Sequence, residues 1–175
     1  MNIQDKMRAQ YTRRWTTVHL DHQQSLAEHS FNVAMLAMEL AKSVFHVVTP
    51  EIKAQVLEYA LLHDIDEVVT GDIPTPTKKR LSSICPKIGD VIAAEGETKA
   101  KAVTQEVVSI VKVADMIEGA FHVKQHAAGV HAIQVADHCE DVMRKTLENG
   151  DLADETLFSG ALELWHTLNN GARYW

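Results

Sequence analysis

The dipeptide His63-Asp64 closes the apolar run Val56-Leu57-Glu58-Tyr59-Ala60-Leu61-Leu62 and leads into Ile65-Asp66-Glu67-Val68-Val69-Thr70-Gly71-Asp72. An imidazole and a carboxylate are among the costlier groups to bury. A packed helix that carries both needs something to satisfy them, and a metal ion does so well. The chain must therefore fold so that other segments deliver partners to this point.

The surrounding pattern is helical throughout. Ser25-Leu26-Ala27-Glu28 reads as a capping box, so a helix starts at Ser25 or just after it. Its apolar line, Leu26, Val33, Ala37, Leu40 and Val44, contains His29 in its gap. Thr49-Pro50-Glu51 supplies an N-cap, a proline at the first helical position and an acid in the first turn. From there Ile52, Val56 and Tyr59 or Ala60 point inward, and the face continues to His63 and Glu67, with Gly71 ending the helix. The segment Asp72-Ile73-Pro74-Thr75-Pro76-Thr77-Lys78-Lys79-Arg80 is expected to be a loop kept extended by its prolines. Pro86, Gly89 and Gly96 predict an irregular or broken helix from Leu81 to about Ala102.

Thr104-Gln105-Glu106 opens a strong helix with Val107, Ile110, Ala114, Ile117 and Phe121 on one line, and Val108, Val111 and Asp115 beside it. It should end near Gly129, followed by helices from about His131 to Glu148 and from about Asp154 to Asn169. With no alternating strand, repeat or low-complexity segment, the fold class is all-α. A length of 175 residues suits a single domain, 1–175, and is too short for two ordinary ones.

Composition narrows the function classes. A net charge of −7 argues against a nucleic-acid polymer as partner, since backbone binders need an excess of Lys and Arg on one surface. No apolar run approaches the roughly 18 residues of a membrane span, so no membrane partner is expected. The N-terminal Met1-Asn2-Ile3-Gln4-Asp5-Lys6 lacks the order of a secretory signal, and Cys85 and Cys139 are far apart, which makes a reducing cytoplasm the expected location. Neither cysteine has a basic neighbourhood to activate it, so both read as buried or inert.

The inward polar residues, in order, are His29, His63, Asp64 and Asp115. Two imidazoles and two carboxylates from three helices form a mixed nitrogen and oxygen set for a divalent ion with positions left open for water. Each residue alone could be an ordinary core group satisfied by its neighbours; the four jointly point to a metal.

The same residues resemble the H…HD…D signature of the HD-domain phosphohydrolases. Arg14-Trp15, Ala27-Glu28-His29-Ser30 and His63-Asp64-x-x-Glu67-x-x-Thr70-Gly71-Asp72-x-Pro74-Thr75-Pro76 are similar to its YfbR-like 5′-deoxynucleotidase branch over roughly residues 10 to 120. Within that branch the short chain looks most like the phage dATP triphosphohydrolases of the DatZ group. The resemblance implies a compact HD-domain helical bundle, self-association, and a zinc, cobalt, manganese or magnesium ion on His29, His63, Asp64 and Asp115. It also implies that Glu67 is the general acid/base or ligates a second ion, and that Asp72 orients or deprotonates the nucleophilic water.

A phosphate ester needs positive charge about its oxygens. Arg14, Lys78 and Lys112 are the candidates, Lys112 lying one turn before Asp115. Trp15, Pro74 and Pro76 could wall a base pocket. The resemblance implies hydrolysis of dATP to deoxyadenosine and triphosphate, with dADP and dAMP as further substrates. The alternatives are a 5′-deoxynucleotidase acting on deoxynucleoside monophosphates and a non-catalytic nucleotide or metal sensor. A phage-encoded chain would work in the host cytoplasm.

His122 and His126 are four apart on one helix, with His131 and His138 nearby. No H-E-x-x-H pattern or neighbouring acid in sequence completes a metal set, so they read as surface or interface residues. His19 and His22, in the loop after Trp15, can border the pocket.

Overall fold

Helix caps encoded locally set the architecture. The structure, a computed structural model, describes residues 1–88, 103–148 and 155–170. In chain order its helices are α1 (Ile3–Lys6), α2 (Leu26–Val44), α3 (Pro50–Leu62), α4 (Glu67–Thr70), α5 (Thr75–Ile84), α6 (Gln105–His126), α7 (Val130–Glu148) and α8 (Glu155–Asn170), with a 3-10 turn at Met7–Gln10. No strand occurs among the described residues, only two isolated bridges, Arg13 to Ser25 and Leu20 to Ala127. The expected all-α class holds.

Ser25 caps α2 as read from the sequence. Its hydroxyl accepts from the Glu28 N–H, and the Glu28 carboxylate accepts from the Ser25 N–H at 2.6 Å. Thr49 and Thr104 cap α3 and α6 in the same way, each hydroxyl accepting from the third residue of its helix. Helix α6 is the central element. It packs on α2, α3, α7 and α8, and Val107, Ile110, Val111, Val113, Ala114, Ile117, Ala120 and Val123 are all buried around its circumference. Burial of each Val or Ile stabilises by about 1.5–3 kcal/mol, so this helix anchors the core that positions the polar residues it also carries.

Trp165 of α8 closes the far side, edge-on to Phe121 at 6.5 Å between ring centres. Helix α8 comes so close to α2 that a β-carbon at Gly160 would fall 2.5 Å from Ser43 Oγ. The N-terminal loop is held by a second cluster, in which Val18 and Leu20 pack with Val123, Ala132 and Ala136 and Trp15 lies against them.

Two expectations need correction. The helix read from Thr49 through to Gly71 ends at Leu62. Residues 62–70 then turn through i to i+3 hydrogen bonds, Ile65 N–H to Leu62 O, Glu67 N–H to Asp64 O and Val68 N–H to Ile65 O, before the short α4 ends at Gly71, whose φ is 72°. The segment expected to be an extended loop, 72–80, is extended only to Pro74. Helix α5 begins at Thr75, because Pro76 sits in its first turn, where a missing N–H has no helical partner to lose. The irregular stretch anticipated from Leu81 lies within α5 up to Ile84; residues 89–102 fall outside the described residues. Helix α6 stops at His126, three residues before Gly129, where φ is 88°.

Candidate active site

His63 is the C-cap of α3 and Asp64 follows it, where the backbone passes into i to i+3 hydrogen bonds, so the two side chains leave the chain in different directions. Both side chains nonetheless reach one cluster. His63 Nε2 lies 3.4 Å from Asp64 Oδ2. From α2, His29 Nε2 lies 3.4 Å from His63 Nε2 and 3.8 Å from Asp64 Oδ2. From α6, Asp115 Oδ1 lies 3.2 Å from His29 Nε2 and 3.9 Å from His63 Nε2. One ligand atom from each of the four residues falls within 4.8 Å of every other. Nitrogen and oxygen ligands about 2.1 Å from a tetrahedral ion stand about 3.4 Å apart, so the donor set fits a divalent metal.

The imidazoles are oriented from behind. His29 is wholly buried, and its Nδ1 lies 2.6 Å from Glu118 Oε2, so Nδ1 donates and Nε2 is the ring atom that faces the cluster. Glu118 is only 3% exposed, and its other oxygen accepts from Asn32 Nδ2 at 3.1 Å and from Gln24 Nε2. His63 Nδ1 lies 2.7 Å from the Ala60 carbonyl, which fixes that ring in the same sense. Sequence reasoning missed Glu118, Gln24 and Asn32. The available signal was an acid on α6 among Ile117, Gly119 and Ala120, one turn after Asp115.

Charge balance follows the geometry. Burial lowers the proton affinity of His63, but its hydrogen bond to Asp115 and the charges of Asp64 and Asp115 outweigh it and hold the ring at a pKa of about 9. Burial likewise raises the Asp115 carboxyl, yet the hydrogen bonds from His29 and His63 carry it well below the usual carboxylate range. Positive charge is thus held among these carboxylates, which is what a cation site requires.

A second ring of groups borders the cluster. Arg14 Nη1 lies 2.8 Å from Asp64 Oδ2 and 3.7 Å from Glu67 Oε2. Lys78, on the first turns of α5, donates to Glu67 Oε1 at 2.8 Å. Glu67 is 3% exposed, not a solvated helix-end acid. Burial and the Asp64 charge push its carboxyl up to about 7, against the opposing pull of Arg14 and Lys78. Asp72 accepts from the Trp15 N–H at 2.9 Å, which ties the N-terminal loop to the segment after Gly71. Trp15 has a φ of 59°, uncommon for a residue with a β-carbon, and its ring reaches α6 at Gly119, 3.5 Å from where a β-carbon would lie. Arg14 Nε, Trp15 Nε1 and Glu67 Oε2 are buried polar atoms without a hydrogen-bond partner, two donors and one acceptor in the same neighbourhood.

Other sequence candidates are not drawn in. Lys112 is exposed and makes no hydrogen bond or ion pair with a described residue. Pro76 is exposed in the first turn of α5, and Pro74 is half-buried. Cys139 is half-buried, and burial raises its thiol, as an inert cysteine requires; Cys85 is exposed, not buried. His131 and His138 are exposed as expected, but His122 is buried, because its side of α6 is covered by the N-terminal loop.

The family described as 5′-deoxynucleotidase YfbR-like matches residues 5–148, a longer span than the motifs alone suggested. A dATP triphosphohydrolase of Salmonella phage PMBT28 is 34% identical over 138 residues, covering 75% of this chain and 71% of the relative. A dATP triphosphohydrolase of Acinetobacter phage SH-Ab 15497 is 30% identical over 168 residues, covering 85% of this chain and 81% of the relative. Among solved structures, the Cyanophage S-2L HD phosphohydrolase (DatZ), bound to dA and one catalytic Zn2+ ion, superposes with a TM-score of 0.80 over 97% of this chain and 98% of that one. At 24% identity that likeness speaks to the fold, which is the same. The chain belongs to the YfbR-like 5′-deoxynucleotidase family.

Proposed function

We propose that this chain is a metal-dependent deoxynucleotide phosphohydrolase that hydrolyses dATP to deoxyadenosine and triphosphate. The observation that carries the reading is the convergence of His29, His63, Asp64 and Asp115 within 4.8 Å, bordered by buried Arg14, Trp15 and Glu67 atoms without hydrogen-bond partners. Two phage dATP triphosphohydrolases among its relatives support the substrate. When bound, a divalent ion would supply a Lewis acid at the α-phosphate and lower the pKa of the attacking water.

The chain's own groups perform the remaining steps. Arg14 presents its free Nε to a phosphate oxygen, and Lys78 adds a second positive charge from α5. Asp72, held by the Trp15 N–H, has its other oxygen available to orient the water and accept its proton. Attack at the α-phosphorus forms one P–O bond and breaks the bond to the 5′ oxygen. Glu67, with a carboxyl near 7, is placed to give that oxygen a proton, so deoxyadenosine leaves neutral. Trp15 offers an aromatic face and an indole N–H for the nucleoside. A second ion near Glu67, implied by the resemblance, would have to displace Lys78 from it.

The test is to incubate the purified protein and a divalent metal with each deoxynucleoside tri-, di- and monophosphate and to separate the products by chromatography. Triphosphate and deoxyadenosine from dATP are expected. Phosphate from deoxynucleoside monophosphates, with dATP untouched, would replace this reading by the 5′-deoxynucleotidase that the family description favours. Tight nucleotide binding without any turnover would make the chain a sensor. Self-association remains an expectation, decided by sedimentation of the full chain.

A further inference from the structure

One cluster of potential ligands lies outside the site described. His22 from the N-terminal loop and His122 and His126 from α6 meet with ring centres 4.7, 5.3 and 5.9 Å apart. Two imidazoles on one tetrahedral ion place their ring centres about 5 Å apart, and the His29 and His63 rings of the first cluster stand at 5.3 Å. His122 and His126 have the i, i+4 spacing that puts both rings on one helix face.

Three further observations give this cluster the character of a site. His122 is 6% exposed, and its Nε2 has no partner. His126 Nδ1 lies 2.6 Å from Asp21 Oδ1, the carboxylate-to-imidazole contact that fixes a ligating ring and leaves Nε2 free to coordinate. The histidines border a cavity of about 310 Å³ with Gln24, Glu28 and Glu118. Gln24 Oε1 is a second buried acceptor without a partner there, since Gln24 spends its Nε2 on Glu118. Unpaired acceptors, two lining carboxylates and Asp21 behind His126 favour a cation over an anion.

We propose that His22, His122 and His126 form a second metal site, on the loop-facing side of α6, for a borderline divalent transition-metal ion such as Zn2+, with water from the cavity completing its shell. The ligand atoms do not yet lie as close as the 4.8 Å of the first cluster. Closing the set requires His22, half exposed on its loop and 3.3 Å from Glu28 Oε1, to turn its ring inward.

The test uses the full chain without an affinity tag, dialysed against micromolar Zn2+ and analysed for bound zinc per chain. The paired variant His22→Gln/His126→Gln should hold one zinc fewer than wild type. Its helical circular dichroism should be unchanged, because His22 is exposed and His126 only half-buried. Asp64→Asn/Asp115→Asn should lose a different equivalent and leave the histidine-dependent one in place. Asp21→Asn should weaken the second site by about 10- to 100-fold while leaving the first unchanged. Equal zinc content in wild type and the histidine pair variant would overturn the proposal, as would loss of every equivalent in the Asp64/Asp115 variant.

Discussion

Glu118→Gln tests how much of the metal centre is set from behind its ligands. The carboxylate receives three donors, His29 Nδ1 on one oxygen and the Asn32 and Gln24 amides on the other. A glutamine has the same shape with one acceptor oxygen. If its NH2 takes the position facing His29, two donors oppose each other, and relief requires the His29 proton to move to Nε2, the atom aimed at the ion. If its oxygen faces His29, the hydrogen bond survives but its charge is lost. Either way the ligand weakens, and loss of such an outer partner typically reduces metal affinity about 10- to 100-fold, or about 1.4–2.8 kcal/mol. The metal-free fold should also lose about 1.5–3 kcal/mol, the net contribution of a charged hydrogen bond at a site only 3% exposed. Competition with a chromophoric chelator, in the His22→Gln/His126→Gln background so that this centre alone is read, gives the affinity. A zinc dissociation constant within twofold of the parent would refute the reasoning.

Further outcomes follow from the same geometry. In the metal-free protein His63 titrates near 9, above its unfolded value of about 6.5, so its stabilising contribution is complete below pH 6.5 and is lost as pH rises through 9. The melting temperature of the metal-free chain should therefore fall over that window, and the zinc-loaded chain should lack this fall; parallel curves would contradict it. Because the ion displaces that proton, zinc uptake at pH 7.5 should release protons, measurable by calorimetry in buffers of different ionisation enthalpy. Asp72→Asn should lower kcat on dATP by about 10²- to 10⁴-fold while zinc content stays unchanged. Gly71→Ala, at a φ of 72° and ψ of 167°, should destabilise the fold by about 1–3 kcal/mol in urea unfolding. Gly160→Ala should cost about 1–3 kcal/mol by forcing α8 off Ser43, and Ser43→Gly should recover part of it.

What could be read from the sequence was local or periodic. Ser25, Thr49 and Thr104 announce their helices because a cap involves residues three apart, and the inward positions of His29 and Asp115 follow from helical spacing. The turn after Leu62 was not legible. Its i to i+3 bonds keep nearly helical spacing along the chain, so the apolar pattern runs through it unbroken. Helix α5 was hidden because two prolines read as extension, yet one at the first turn of a helix costs it nothing. Glu118 and the Asp21 to His126 pair depend on contacts 89 and 105 residues apart in sequence, which no local pattern encodes.

Arg14 and the metal compete for one oxygen. Asp64 Oδ2 accepts from Arg14 at 2.8 Å and also faces both imidazoles, so an ion held there would draw on the same oxygen that restrains the guanidinium. Loading an ion there would loosen the hold on the arginine and leave it to the phosphates, so the expected order of assembly is metal first and nucleotide second. Nucleotide affinity would then depend on metal occupancy even where the nucleotide and the ion share no contact.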